Sequence, residues 1–236
     1  MNHEIAQRIL ASLYDEWRAG TSEKDQSPTG RLAAIFRDAG WGDGVTRSAS
    51  GKVNDWCGFT AGAAFVRNGM PHALRNAFWH CMNIEDFATY GSPRLRNPRR
   101  IKHDVLVDGV WMKVKDWHAR EGKPRTWISE AQLRAGAADA IDIQPADIVL
   151  LDYRGIYDKA DDERDDEADH VTVAAEFRGG VLYVMNGNAS GLDVNGKPVS
   201  DAVCRTIHDL NDPKARKRLY GIARLSDLDF LPMVYR

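Results

Sequence analysis

The chain has 236 residues, enough for one well-buried core or two small domains, with the 43 % apolar and 28 % charged content of an ordinary soluble globular protein. A formal net charge of -2 lacks the basic excess on which nucleic-acid binding generally rests. No run approaches the roughly 18 apolar residues of a membrane-crossing helix, and three cysteines are too few for a disulfide scaffold.

The opening MNHEIAQRILASLYDEWRAG carries acids inside its apolar pattern, unlike a secretory signal. The chain is therefore expected to be made in the cytoplasm without a cleavable leader. Residues 2–18 read as a helix, because Ile5, Ile9, Leu10, Leu13 and Trp17 recur at three- and four-residue steps. After the polar connector 20–30, a second short helix is predicted over 30–39, followed by a Gly- and Ser-rich loop to residue 52. A third helix is predicted from about 56 to 67, with Asn54 or Asp55 as its cap. Residues 71–89 read as helical again and 93–100 as irregular.

Charge then separates along the chain. Residues 94–134 hold 11 Lys or Arg against 5 Asp or Glu, and residues 139–169 hold 12 acids against 3 bases. The plain reading is two solvated faces. The acidic stretch 158–169 lacks the glycine-centred loop of a calcium site, so no metal is assigned to it. Neither C-x-x-C nor H-x-x-x-H spacing occurs, so no zinc site and no cofactor is expected.

The second half changes period. A strand of five or six residues is predicted within 145–154, around the apolar run Ile148 to Leu151 after Pro145, another at 170–177, a Gly179-Gly180 hairpin turn, and a return strand over 181–190 closed by an Asn-Gly-Asn turn. The segment 206–213 reads as a surface turn and 219–225 as a further strand. Helices first and an antiparallel sheet second is an α+β pattern.

Cys57 stands at the first turn of the third helix, followed by the small residues Gly58, Thr60, Ala61, Gly62, Ala63 and Ala64. Most such cysteines are packing residues. A nucleophile needs a lowered pKa, access and a base. The start of a helix, with its free N–H groups and positive dipole end, favours a thiolate. His170 opens a strand after a long polar loop, a better position for a base than mid-helix His72 or His80. His208 is placed in the surface turn. The return strand brings Asn186 and Asn188 to the same edge, and either carboxamide can hold the imidazole. Cys81 and Cys204 read as structural thiols.

These pieces, Trp56-Cys57-Gly58, PADIV at 145–149, His170-Val171 and NGNAS at 186–190, resemble the papain-like amidase and endopeptidase domains called CHAP and NlpC/P60. The resemblance covers residues 50–70 and 144–190, and the order of its motifs carries it more than any one alone. It implies a single papain-like domain over 1–236, its N-terminal helices packed on a C-terminal antiparallel sheet, with an insertion or elaboration at about 70–143. It implies a thiol hydrolase that cuts amide or peptide bonds in peptidoglycan through an acyl-enzyme. Cys57 matches the nucleophile, His170 the base, and Asn188 the asparagine of the closing Gly-Asn pair, with Asn186 where a glutamate or similar orienter is common. Asn54, Asp55 and Trp56 are the candidates for oxyanion or substrate contacts. Asp169 and Ala146 replace glycines of the pattern. A wall hydrolase without an export signal would travel by a secretion system, a phage tail or lysis, which points to an antibacterial toxin with a cognate inhibitor protein or to a phage-associated lysin. The alternative from another class is an inactive papain-fold module that binds cell wall or a protein partner.

Overall fold

A computed structural model describes residues 1–90, 104–107, 110–113, 126–153 and 168–230. The first helix, α1 (His3–Arg18), begins where the Asn2 side chain accepts a 2.8 Å hydrogen bond from the Glu4 N–H. Its apolar stripe Ile9, Leu10 and Leu13 is buried as the spacing requires, and Gly20 leaves the helix at φ 68°. Then come α2 (Arg31–Asp38) and α3 (Cys57–Arg67).

One charged residue on the inner face of α1 breaks its apolar pattern. Glu16 is 5 % exposed and accepts hydrogen bonds from Thr21 (2.6 Å), Arg31 of α2 (3.2 Å) and Arg67 of α3 (2.7 Å). Burial works against its ionisation, but the Thr21 hydroxyl and the Arg67 guanidinium outweigh it and hold the carboxyl below its ordinary range. Arg67 keeps Asp38 and Arg31 is exposed, so Glu16→Ala removes hydrogen bonds to a charged group without stranding a buried cation. It is expected to cost about 2 kcal/mol in urea unfolding at neutral pH. A carboxyl with a depressed folded pKa contributes stability above its unfolded pKa and loses it as pH falls through the folded value. The gap between wild type and variant should accordingly close in acid, below the ordinary glutamate range. A gap that stayed constant through that range would refute the assignment.

The predicted helix over 71–89 is two elements. A 3-10 segment (His72–Trp79) gives way at His80, which is extended at φ -155° and ψ 143°, and α4 (Cys81–Tyr90) follows. The cause lies in α3. A Cβ on Gly58 would stand 2.2 Å from the Phe78 carbonyl oxygen, and one on Gly62 would stand 2.9 Å from the Phe78 Cβ. The small residues of α3 thus admit the 72–79 backbone at contact distance, which a continuous bulky helix would prevent.

Two short strands, β1 (Asp104–Val107) and β2 (Val110–Lys113), pair with each other. Six further strands among the described residues form one antiparallel sheet: β3 (Thr126–Ser129), β4 (Ile148–Leu151), β5 (His170–Arg178), β6 (Val181–Leu192), β7 (Pro198–Asp209) and β8 (Leu219–Arg224), in the order β3-β8-β4-β5-β6-β7. Short helices α5 (Glu130–Arg134) and α6 (Pro213–Lys217) lie between strands in sequence. The protein is an α+β mixture. The stretch at 70–143 contributes an edge strand to the main sheet, because Thr126–Ser129 pairs with Gly221–Arg224.

The sheet is buried on both faces. Ile148, Leu150, Val171, Val173 and Met185 share a core cluster with Ile9, Leu13, Phe65, Phe78 and Phe87. Val149, Leu151, Ala174, Leu182, Val184 and Ile222 share a second cluster with Leu133. A third joins Leu32, Ile35 and Phe36 of α2 to Trp56, Phe59 and Ala63.

Two expected turns are strand. Asn186-Gly187-Asn188 does not close β6, which continues to Leu192 through a run of register shifts. Residues 206–209 complete β7, because Leu182 pairs with His208 and Val181 with Asp209. The Gly179-Gly180 hairpin stands as predicted, both residues at positive φ. Irregularity at 93–100 and most of the acidic stretch 158–169 lie outside the described residues.

Candidate functional site

The geometry begins at the start of α3. The residue before the helix is Trp56, which provides no side-chain cap, so neither Asn54 nor Asp55 caps the helix as expected. Asn54 donates its Nδ2 to Thr46 at 2.9 Å. Cys57 is the first helical residue, where N–H groups lack intrahelical acceptors. It is half-buried, whereas Cys81 and Cys204 are buried. Burial alone pushes the Cys204 thiol up to about 11. Burial also pushes the Cys57 thiol upward, but a hydrogen bond to His170 and that residue's charge outweigh it. Backbone N–H groups of Val171 and Gly58 add to the effect, and the thiol sits below its ordinary value.

His170 opens β5 opposite Leu151 of β4 and is 7 % exposed. Its burial opposes a charge, yet contact with Cys57, and then Asn186, raises its pKa above the usual imidazole value. The two shifts in opposite directions have one cause: a sulfur and an imidazole from elements distant in sequence each favour the charged form of the other. The imidazole's Nε2–H donates to Asn186 Oδ1 at 3.0 Å. That bond occupies Nε2 and leaves Nδ1 as the second nitrogen able to exchange a proton.

Strand register explains why Asn186 is the partner. Thr172 pairs with Asn186, which sets residue 188 level with His170. Asn188, however, has a left-handed backbone at φ 52°, and its Nδ2 donates to Asp55 at 3.3 Å. The expectation that Asn188 holds the imidazole is corrected here: position 188 arrives at the right level but its side chain turns to α3's lead-in. Asn186, the alternative on strand facing, is 1 % exposed and makes the bond.

The close fit of the helix to β6 fixes the spacing. A Cβ on Gly187 would stand 1.9 Å from Thr60 Oγ1, one turn into α3 from Cys57. Gly187 between the two asparagines is therefore a close-approach position.

Trp56 does not line a groove. It is fully buried in the α2–α3 cluster and its Nε1 donates to Glu23 at 3.2 Å. Asp55 is exposed beside Asn188. Trp41 is 41 % exposed, stacked on Phe59 and edge-on to Trp79. A residue the sequence reading missed is Tyr153, whose ring centroid lies 5.3 Å from that of His170. Its signal was available: it stands two residues beyond Leu151, the register partner of His170.

Ala146, at a glycine position of the resembled pattern, adopts φ 66° while 1 % exposed. The left-handed region costs a non-glycine residue about 1–2 kcal/mol, and a buried methyl contributes somewhat less than that in return. Its neighbour Asp147 is bound by two Arg224 nitrogens at 2.9 and 2.8 Å, an ion pair that ties β4 to β8. Among the described residues no group of three or more His, Cys, Asp or Glu is placed to hold a metal ion, and no helix is long and apolar enough to cross a membrane.

The paired shifts define a pH prediction. The thiolate requires pH above a Cys57 value lower than an ordinary thiol's. The imidazolium requires pH below a His170 value higher than an ordinary imidazole's. Iodoacetamide should alkylate Cys57 much faster than Cys81 and Cys204, with a plateau that begins below the free-thiol range of about 8.5. Peptide-level mass spectrometry across pH reads all three sites. Equal, slow labelling would refute the pair.

No protein-family profile, no curated protein and no solved structure matches the chain.

Proposed function

We propose that the protein is a cysteine-dependent amidase or endopeptidase of papain-like arrangement, with Cys57 as nucleophile, His170 as base and Asn186 as the orienting residue. The observation that supports it most is the buried 3.0 Å hydrogen bond from His170 to Asn186 Oδ1, made by the imidazole whose proximity holds the Cys57 thiol below its ordinary pKa. Structural cysteines have no need of it.

The reaction is acyl transfer. The Cys57 thiolate attacks an amide carbonyl carbon, forming a C–S bond and a tetrahedral oxyanion. The Cys57 backbone N–H, at the helix start, is the first donor for that oxygen. The imidazolium proton passes from His170 to the departing amine as the C–N bond breaks. His170, now neutral, takes a proton from water, which attacks the thioester and releases the acid. An Nε2–H held by Asn186 keeps Nδ1 at the sulfur through both halves.

The substrate class follows from the resemblance of residues 50–70 and 144–190 to wall amidases: stem peptides of peptidoglycan. On that reading the protein acts on cell wall as a toxin or a phage-associated lysin and, if a toxin, has a small inhibitor in the producing cell. Purified protein incubated with isolated peptidoglycan should release fragments with a new amine and a new carboxylate, whose masses identify the bond. Cys57→Ala is the control. Binding to walls without any bond cleaved would replace this reading with that of an inactive binding module.

A further inference from the structure

Asn186 is itself held, and the residues that hold it belong to the next strand. Its Nδ2 donates to Thr206 Oγ1 at 2.9 Å, and Thr206 Oγ1 lies 3.2 Å from His208 Nε2. Both residues are on β7, in the segment first read as a surface turn, and His208 is 7 % exposed.

A hydroxyl carries one proton. Thr206 accepts from Asn186, so its own proton is directed elsewhere, and His208 Nε2 is within reach to accept it. The series then has one direction: His170 Nε2–H to Asn186 Oδ1, Asn186 Nδ2–H to Thr206 Oγ1, Thr206 O–H to His208 Nε2. If the hydroxyl proton turned instead toward Asn186, the carboxamide would have to present its oxygen to Thr206 and its NH2 to His170. An NH2 group facing Nε2 cannot accept its proton, so the imidazolium, which carries a proton on both nitrogens, would be disfavoured and with it the Cys57 thiolate.

We infer that Thr206 and His208 are positioning residues that set the orientation of the Asn186 carboxamide, so that its oxygen faces the His170 Nε2–H and supports the protonated imidazole beside Cys57. This rests on the reading of Cys57 and His170 as nucleophile and base. His208 suits the acceptor's part. Burial first, then the neighbouring charges of Arg218 and His170, push its pKa down to about 4, so it is neutral near pH 7.

The test reads the thiol directly and needs no substrate. Alkylation of Cys57 is followed across pH in wild type, Thr206→Val and Thr206→Ser, with thermal melts to confirm folding. Thr206→Val keeps the shape but has no hydroxyl. It should lower the Cys57 rate at pH 7 about tenfold, the effect of one ordinary hydrogen bond, and move the onset of reactivity to higher pH. Thr206→Ser should retain the wild-type profile, which a merely structural role for the methyl group would not predict. A Thr206→Val profile superimposed on that of wild type overturns the inference while leaving the activated thiol, and with it the hydrolase reading, intact. A wild-type Cys57 no more reactive than Cys81 overturns both. Should Thr206→Val not fold, nitrogen-15 NMR of the wild-type imidazoles at pH 7 decides the matter. His208 Nε2 unprotonated and His170 Nε2 protonated is the expected pattern, and a protonated His208 Nε2 overturns the inference.

Discussion

Cys57→Ala should reduce peptidoglycan hydrolysis by about five to six orders of magnitude, to the level left when a covalent nucleophile is removed. Alanine is the best helix former and Cys57 is only half-buried, so the variant should melt close to wild type. Alanine at Cys204, by contrast, leaves a cavity in a fully buried position. It should lower stability while leaving turnover per folded molecule unchanged. The pair of variants separates chemistry from packing. Residual turnover within tenfold of wild type in Cys57→Ala, measured on the same wall preparation by mass-resolved products, would eliminate Cys57 as nucleophile.

Asn186→Ala is expected to lower turnover by about two to four orders of magnitude, the range seen when a base loses the group that fixes its tautomer. Two effects combine. The His170 Nε2–H loses its acceptor in a buried place, so the ring is free to rotate or to carry its proton on the wrong nitrogen. The imidazolium loses one of the contacts that raise its pKa. The alkaline limb of the rate profile should consequently move to lower pH, because that limb records loss of the imidazolium proton. Asn188→Ala should change turnover by only a few fold, since its amide is engaged with Asp55. Parallel pH profiles of the two variants decide between them. A larger loss in Asn188→Ala would return the orienting part to position 188.

The contrast between the asparagines shows where sequence reasoning succeeded and where it stopped. A period of two put 186 and 188 on one edge, and the Gly179-Gly180 hairpin put them at the level of His170. Neither argument contains a backbone dihedral at a non-glycine residue, and it is the left-handed φ of Asn188 that turns its side chain away. The Cys57 helix was legible because its small residues and its position after Trp56 are local signals. The break at His80 was not, because it depends on a carbonyl of one segment meeting a glycine of another. The same holds for β7. Its residues 206–209 carry Asp, His and Thr, which read as a turn, and only pairing with Val181–Val184 makes them a strand. For Trp56, substrate contact and a place in the core were equally open from the sequence; it stands just before α3 and is buried against α2.

Cys57 and His170, the proposed nucleophile and base, are more than a hundred residues apart, one on a helix near the start and the other on a strand reached much later. Emerging in order, the chain exposes Cys57 long before His170 and Asn186 exist to activate it. Until β5 and β6 close against α3 the sulfur remains an ordinary thiol, protonated for the most part near neutral pH. Assembly of the sheet is thus also the moment at which reactivity arises, and a partly made or locally opened chain is chemically quiet. For a protein whose proposed target is the cell wall, such latency is a property of topology alone. Loosening the Gly187–Thr60 fit should restore it in the folded chain, silencing the thiol without touching any of the three residues proposed to do the chemistry.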